Sequence, residues 1–197
     1  GFESTAIHVM VDAAIGGKNG MNSDFGKNLI GAFHSPLCVL IDMSWLATLA
    51  DRDFSAGVAE IIKSGFIVDN EILRLVTRKT LSDLRNSREV TSQLILRSVQ
   101  VKADVVSSDF KESFGREVLN YGHTLGHAIE LHSKFALRHG EAVAIGMVYA
   151  AELASSRGLL GSEILLQHRA LLTALSLPTT YRADAWPELL RLMSLDK

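Results

Sequence analysis

The sequence is poor in the features that mark secreted, membrane-spanning or nucleic-acid-binding proteins. It has a single cysteine, Cys38, so no disulfide can form within the chain. Cys38 lies in the apolar run Leu37–Ile41 and reads as a buried, inert thiol in a reducing cytoplasm. Neither sign of charge dominates, since 20 Lys and Arg against 22 Asp and Glu leave a net charge of −2. That balance argues against a nucleic-acid or membrane-surface partner. No apolar run reaches the roughly 20 residues that a membrane-spanning helix needs, and the N-terminus has no basic segment followed by an apolar one. Prolines number only three, and there is no linker rich in Pro, Gly or Ser, no low-complexity tract and no internal repeat. The composition, 47% hydrophobic and 21% charged over 197 residues, is that of a globular protein with one large or two smaller cores. The chain begins at Gly1 without Met and stops at Lys197 without a terminal cap, which reads as a fragment.

What the chain does have is histidine in one place. The stretch Glu117–Met147 (EVLNYGHTLGHAIELHSKFALRHGEAVAIGM) holds four of the seven histidines. His123 and His127 are spaced i,i+4, which on a helix puts both imidazoles on one face. His139 follows after a break, directly before Gly140-Glu141, and Ala142–Ala151 is apolar on all sides, the pattern of a fully buried helix. An i,i+4 His pair alone is more often two half-exposed residues than a metal site. The zinc-protease motif H-E-x-x-H is excluded because Thr124 stands at its glutamate position. A catalytic metal here needs a further ligand from elsewhere, preferably a carboxylate, to give three protein ligands and an open position.

The first fifty residues have α/β character. Ala6–Val11 and Leu37–Ile41 are short apolar runs, each ending at an aspartate, Asp12 and Asp42. Buried parallel strands read this way, with ligands gathering at their carboxyl ends. Between them, residues 16–28 (GGKNGMNSDFGKN) carry four glycines, three asparagines and two lysines. They read as a loop whose backbone can approach an anion, although the spacing fails the P-loop pattern. From about Asp51 the periodicity becomes helical. Phe54, Val58, Ile61 and Gly65 share one face, and helices are expected near 70–78, 88–107, 117–132, 141–157, 161–175 and 186–194. Pro187 suits a first helical turn. Glu60 and Lys63 lie beside Ala56, Ala59 and Ile67, so their face is not ordinary solvated surface. Glu60 is the candidate for the missing carboxylate.

Six motifs in order, DAAIGGKNGMN, GKNLIGAF, AGVAEIIKSGFI, VKADVV, LNYGHTLGHAIE and RHGEAVAIGM, resemble the 3-dehydroquinate synthase family of sugar-phosphate cyclases. The resemblance runs from about Ser4 to Lys197. It implies α/β plus mainly α architecture: residues 1–50 as the end of a nucleotide-binding α/β domain, then residues 51–197 as a helical metal-binding and substrate domain. The glycine-rich dinucleotide segment and the first strands have no counterpart here, so the resemblance implies a chain lacking most of the N-terminal NAD-binding domain. Ser4, Ala6, Asn19 and Ala50 depart from the residues usual at their positions, and the stretch 69–90 is shorter than in many relatives.

By the same resemblance, Glu60, His123 and His139 would hold a metal, normally zinc, with cobalt possible. His127 would instead face the phosphate end of the substrate in a proton-handling network. Lys102 and Arg116 would hold the substrate carboxylate, and Lys63 would contact ring hydroxyls. Lys18, Asn28 and Asn120 would surround the phosphate. Asp12 and Lys27 would lie near the nicotinamide of NAD, with Thr5 and Thr48 lining its cleft. Lys197 falls at the position of a substrate lysine. The implied activity is conversion of 3-deoxy-D-arabino-heptulosonate 7-phosphate to 3-dehydroquinate and phosphate, a step of the shikimate pathway to aromatic amino acids, by a cytoplasmic homodimer. The alternatives are another cyclase such as 2-deoxy-scyllo-inosose synthase or 2-epi-5-epi-valiolone synthase, a metal-dependent dehydrogenase of the glycerol type, and a non-catalytic fragment.

Overall fold

The computed structural model describes residues 7–15, 18–23, 26–33, 37–108 and 115–194. The spacing of Phe54, Val58 and Ile61 produces α1 (Asp51–Ile67), whose acidic first turn, Asp51 and Asp53, suits the positive end of the helix dipole. Every residue from Phe54 to Gly65 is buried, including Glu60 and Lys63. The helix is therefore enclosed on all sides, which is why its polar residues are informative.

Next come α2 (Asn70–Val76), α3 (Leu81–Asn86) and α4 (Arg88–Ser108). The sequence pattern did not reveal α3, a short helix started by a Thr80–Asp83 capping box and separated from α4 by Ser87 alone. The helix expected over 117–132 is two elements. A tight turn at Gly115–Asn120 gives way to α5 (His123–His132) across Gly122, whose left-handed φ of 80° breaks the helix. Then follow α6 (His139–Ser156), α7 (Ser162–Ala174) and α8 (Trp186–Met193), with Pro187 in the first turn of α8. As the apolar run predicts, α6 is buried continuously from Gly140 to Val148.

One core joins Phe54, Val58, Ile61 and Ile62 of α1 to Ile72, Leu94, Val143, Met147 and Leu172, with Ile7 and Met10 packed into it. A second core lies between α5, α6 and α8, built on Leu125, Ile129, Ile145 and Leu189. Arg52 clamps the two central helices by donating to both carboxylate oxygens of Glu141, at 2.6 and 2.7 Å. Among the described residues, no helix is long and apolar enough to cross a membrane.

The first fifty residues depart from expectation. Ala6–Val11 is not a strand in its described part: Ile7 and His8 are helical and lead into a wide helical turn at Val9–Ala13. Residues 38–42 have no regular structure. A parallel strand is stable only between neighbours that satisfy its backbone, and no such neighbour exists among the described residues. A helical turn satisfies those groups locally. Cys38 is exposed rather than buried, as are Leu37 and Leu40 beside it, and of this run only Ile41 packs against the described core. The Gly/Asn/Lys stretch, expected as a loop, forms a hairpin instead. Strand β1 (Lys18–Ser23) pairs antiparallel with β2 (Gly26–Phe33), Lys18 opposite Phe33 and Gly20 opposite Gly31, with a bulge between Met21 and Ser23. Among the described residues this ribbon is the only sheet, and the remainder is helical.

Candidate metal centre

Three helices aim ligand-type side chains at one point. Glu60 projects from the buried middle of α1, His123 from the first turn of α5 and His139 from the first turn of α6. Gly140 makes the last of these possible, since a Cβ there would stand 1.7 Å from the carbonyl oxygen of Ala56. Only glycine lets the start of α6 lie directly on α1.

Oε1 of Glu60 is 3.4 Å from Nε2 of His139 and 3.7 Å from Nε2 of His123. Donors held 2.0–2.1 Å from a tetrahedral zinc are about 3.3–3.4 Å apart, so Glu60 stands at that spacing from His139 and slightly beyond it from His123. Oε1 is buried without a hydrogen-bond partner, whereas Oε2 is taken by Lys63, 2.6 Å away. Lys63 also donates to the carbonyl of Leu119 at 2.7 Å. One carboxylate oxygen is thus taken by Lys63, and the other faces the two histidines.

The other ring nitrogens are tied down in the way metal-binding histidines require. Nδ1–H of His123 donates to the carbonyl of Tyr121 at 3.2 Å, which leaves the Nε2 lone pair facing Glu60. Nδ1 of His139 pairs with Oε2 of Glu130 at 3.1 Å, a carboxylate–histidine arrangement that aims Nε2 at the same point. Burial pushes the His123 imidazole down to about 4, so it is neutral at physiological pH. Burial acts against charge on His139 too, but the carboxylates of Glu130 and Glu60 outweigh it and raise the ring to about 9. Burial likewise opposes ionisation of Glu60, and Lys63 with the two histidines overcomes it, holding this carboxyl well below its usual range. An ionised carboxylate, one neutral imidazole and one imidazolium confined in a buried site suit a divalent cation that displaces the His139 proton.

The remaining expected site residues are distributed as follows. His127 is half-buried on the same face of α5, its ring 5.3 Å from that of His123, with its donor atom within 4.8 Å of those of Glu130 and His139. Lys102 of α4 does not stand free: its Nζ donates to both the carboxylate and the carbonyl of Asp12. A residue expected on the substrate carboxylate and one expected near the nicotinamide are therefore paired in this structure. Burial and the charge of Glu60 work against ionised Asp12, and Lys102 and Lys63 outweigh them. Asn120 is exposed at the end of the Gly115–Asn120 turn, and Thr48 is exposed with its hydroxyl on the carbonyl of Trp45 at 3.0 Å. Lys18 lies on β1, and Lys27 and Asn28 lie on β2. The side chains of these three and of Arg116 are outside the described residues, as are Thr5 and Lys197 entirely.

Two members of the cluster were not singled out from the sequence. Glu130 lies seven residues after His123 and three after His127, on their helical face, so its spacing was a usable signal. His8 sits in an apolar run where a lone histidine carries no pattern, yet its ring is 4.8 Å from that of His139. Another buried histidine, His168, belongs to a structural network: it stacks on Phe66 at 3.5 Å, binds the Tyr121 hydroxyl at 2.9 Å and donates to the carbonyl of Ile164 at 2.7 Å.

The family description "3-dehydroquinate synthase C-terminal" matches residues 57–197, and "3-dehydroquinate synthase N-terminal" matches residues 3–56. The chain is 53% identical to 3-dehydroquinate synthase of Nocardia farcinica over 98% of its own length and 52% of that protein. It is 50% identical to the Mycobacterium leprae 3-dehydroquinate synthase over 98% of its length and 54% of that protein. It thus spans about half the length of the curated relatives it matches. Among solved structures, 2-epi-5-epi-valiolone synthase from Streptomyces hygroscopicus, with NAD+ and Zn2+ bound, superposes with a TM-score of 0.87 at 29% identity, covering 96% of this chain and 53% of that one. A 2-deoxy-scyllo-inosose synthase complexed with carbaglucose-6-phosphate, NAD+ and Co2+ superposes with a TM-score of 0.86 at 28% identity, covering 99% and 53%.

Proposed function

The chain belongs to the 3-dehydroquinate synthase family, and from that premise we infer that it carries the metal- and substrate-binding half of an enzyme converting 3-deoxy-D-arabino-heptulosonate 7-phosphate to 3-dehydroquinate and phosphate. Residues 1–50 are the end of the NAD-binding domain and 51–197 the metal and substrate domain. The observation that carries this reading is the buried Oε1 of Glu60, without a hydrogen-bond partner and facing the Nε2 atoms of His139 and His123 at 3.4 and 3.7 Å. These three residues hold zinc, with cobalt able to replace it.

Bound metal supplies Lewis acidity toward neighbouring substrate hydroxyls, and NAD supplies a reversible hydride acceptor. The chain's own residues bind and orient. Lys63, fixed by Glu60 and Leu119, presents its ammonium to the ring hydroxyls. Arg116 forks onto the substrate carboxylate, and Lys102 joins it by exchanging its Asp12 contact for the substrate. Asp12 and Lys27 border the nicotinamide, and Thr5 and Thr48 line its cleft. Lys18, Asn28 and Asn120 surround the phosphate, with His127 relaying protons beside it. The contribution is positioning and fixed charge more than a set of separate acids and bases. The enzyme works as a homodimer in the cytoplasm.

The test is metal content after dialysis, paired with phosphate release from 3-deoxy-D-arabino-heptulosonate 7-phosphate with added NAD. About one zinc per chain with phosphate release is expected of a protein holding both halves. Zinc without release from this chain locates the missing function in the nucleotide-binding half. Absence of zinc overturns the reading. The second reading, another sugar-phosphate cyclase, is favoured by the likeness to the inosose and valiolone synthases, and faster turnover of a carboxylate-free sugar phosphate would establish it.

A further inference from the structure

We propose that His8 is a fourth protein donor to the cation held by Glu60, His123 and His139, closing the site from the N-terminal side until substrate displaces it. The proposal rests on the metal reading above.

Three observations carry it. Nδ1 of His8 is buried and has no hydrogen-bond partner among the described residues, a costly arrangement unless something else satisfies the lone pair. The donor atoms of His8, Glu60 and His139 all lie within 4.8 Å of one another. The two residues of this region with an orphaned buried atom, His8 at Nδ1 and Glu60 at Oε1, therefore belong to one cluster.

The third observation is how firmly the backbone at His8 is held. Gly57 of α1 admits it: a Cβ there would stand 2.5 Å from Cβ of Ile7 and 2.9 Å from the backbone nitrogen of His8. Ile7 and Met10 on either side are fully buried in the core, and Asp12 is anchored to Lys102 one turn further on. His8 is thus carried on a pinned turn, and rotation of its side chain is what brings the imidazole to the spacing that Glu60 and His139 already have.

The other cluster, His127, Glu130 and His139, does not compete for this role, because it meets His139 at Nδ1, the nitrogen already paired with Glu130. It orients the ligand from behind. Three protein donors leave a zinc open for substrate, and four make a closed site. With His8 bound, the metal is retained and shielded from water. Substrate oxygens could then reach the metal only if His8 gave up its place.

The experiment uses the purified chain, zinc, and the variants His8→Leu and His8→Gln, with thermal melts of the metal-free proteins to establish that each folds. X-ray absorption of the zinc-loaded wild type should count three imidazoles, and two in either variant. The dissociation constant for zinc, read by chelator competition, should rise about tenfold or more in both variants. Two imidazoles in the wild type with unchanged affinity in the variants overturns the fourth donor while leaving the metal site standing. No zinc in the wild type overturns the metal reading and this proposal together.

Discussion

Oε2 of Glu130 stands 3.1 Å from Nδ1 of His139, and this contact decides which nitrogen of His139 faces the candidate metal centre. Both residues are largely enclosed, so the pair acts in a low-dielectric setting where orientation and basicity are strongly coupled.

Replacing Glu130 by Gln should therefore weaken metal binding without removing it. The amide can still accept from Nδ1–H but no longer carries the charge that strengthens the imidazole. Zinc affinity measured by chelator competition should fall about 10–100-fold, with the helical content unchanged.

Lys63 and Glu60 form a buried ion pair, with side-chain exposures of 4% and 2%. Lys63→Ala removes the closest cation from the buried Glu60 carboxylate and leaves the histidines alone to oppose its charge. In excess chelator the variant should lose about 3–5 kcal/mol in urea denaturation. Zinc, supplying the missing positive charge, should recover a larger share of stability in the variant than it adds to the wild type.

Gly140→Ala would drive a methyl group into the Ala56 carbonyl, 1.7 Å from where the Cβ must go. The start of α6 has to shift away from α1, carrying His139 from Glu60. A stability loss at or above about 3 kcal/mol is expected, together with weakened zinc binding. Wild-type zinc affinity in this variant would show that the approach of the two helices does not set the site.

His168 offers a pH readout at a residue outside the candidate metal ligands. Burial lowers its pKa below the ordinary value, so the folded state holds the neutral ring while the unfolded chain protonates near 6.5. Its contribution to stability is present above pH 6.5 and is lost as pH falls from there toward the lowered folded value. Tyr121 is its polar neighbour and stays neutral in this range, its hydroxyl pushed up to about 12 by burial. In chelator, His168→Gln should flatten the decline of the urea midpoint between pH 7.5 and 5.5. An unchanged slope would assign that decline to other groups.

The helical half was largely legible before the structure. Period-3.6 patterns located α1, α4, α6, α7 and α8, and the apolar neighbours of Glu60 marked it as something other than a surface residue. The break in the expected 117–132 helix was less legible, because a glycine inside a helical pattern is tolerated or not according to its φ. α3 escaped because a six-residue helix offers too little periodicity, and only its capping box announces it. In the first fifty residues an apolar run reads as a strand only if partners exist to pair with it. Among the described residues they do not, so Ile7–Ala13 is helical and Cys38 is exposed.

By itself, the sequence determined most of the helical scaffold and marked the candidate ligand residues, because burial periodicity and the i,i+4 geometry of a helix are local properties of the chain. Tertiary structure alone decided which donors meet. The approach of α6 to α1 through Gly140, the capture of Oε2 of Glu60 by Lys63, the support of His139 by Glu130 and the arrival of His8 over Gly57 all join residues on separate elements. Those distances are set by how the helices pack, and no spacing along the chain encodes them.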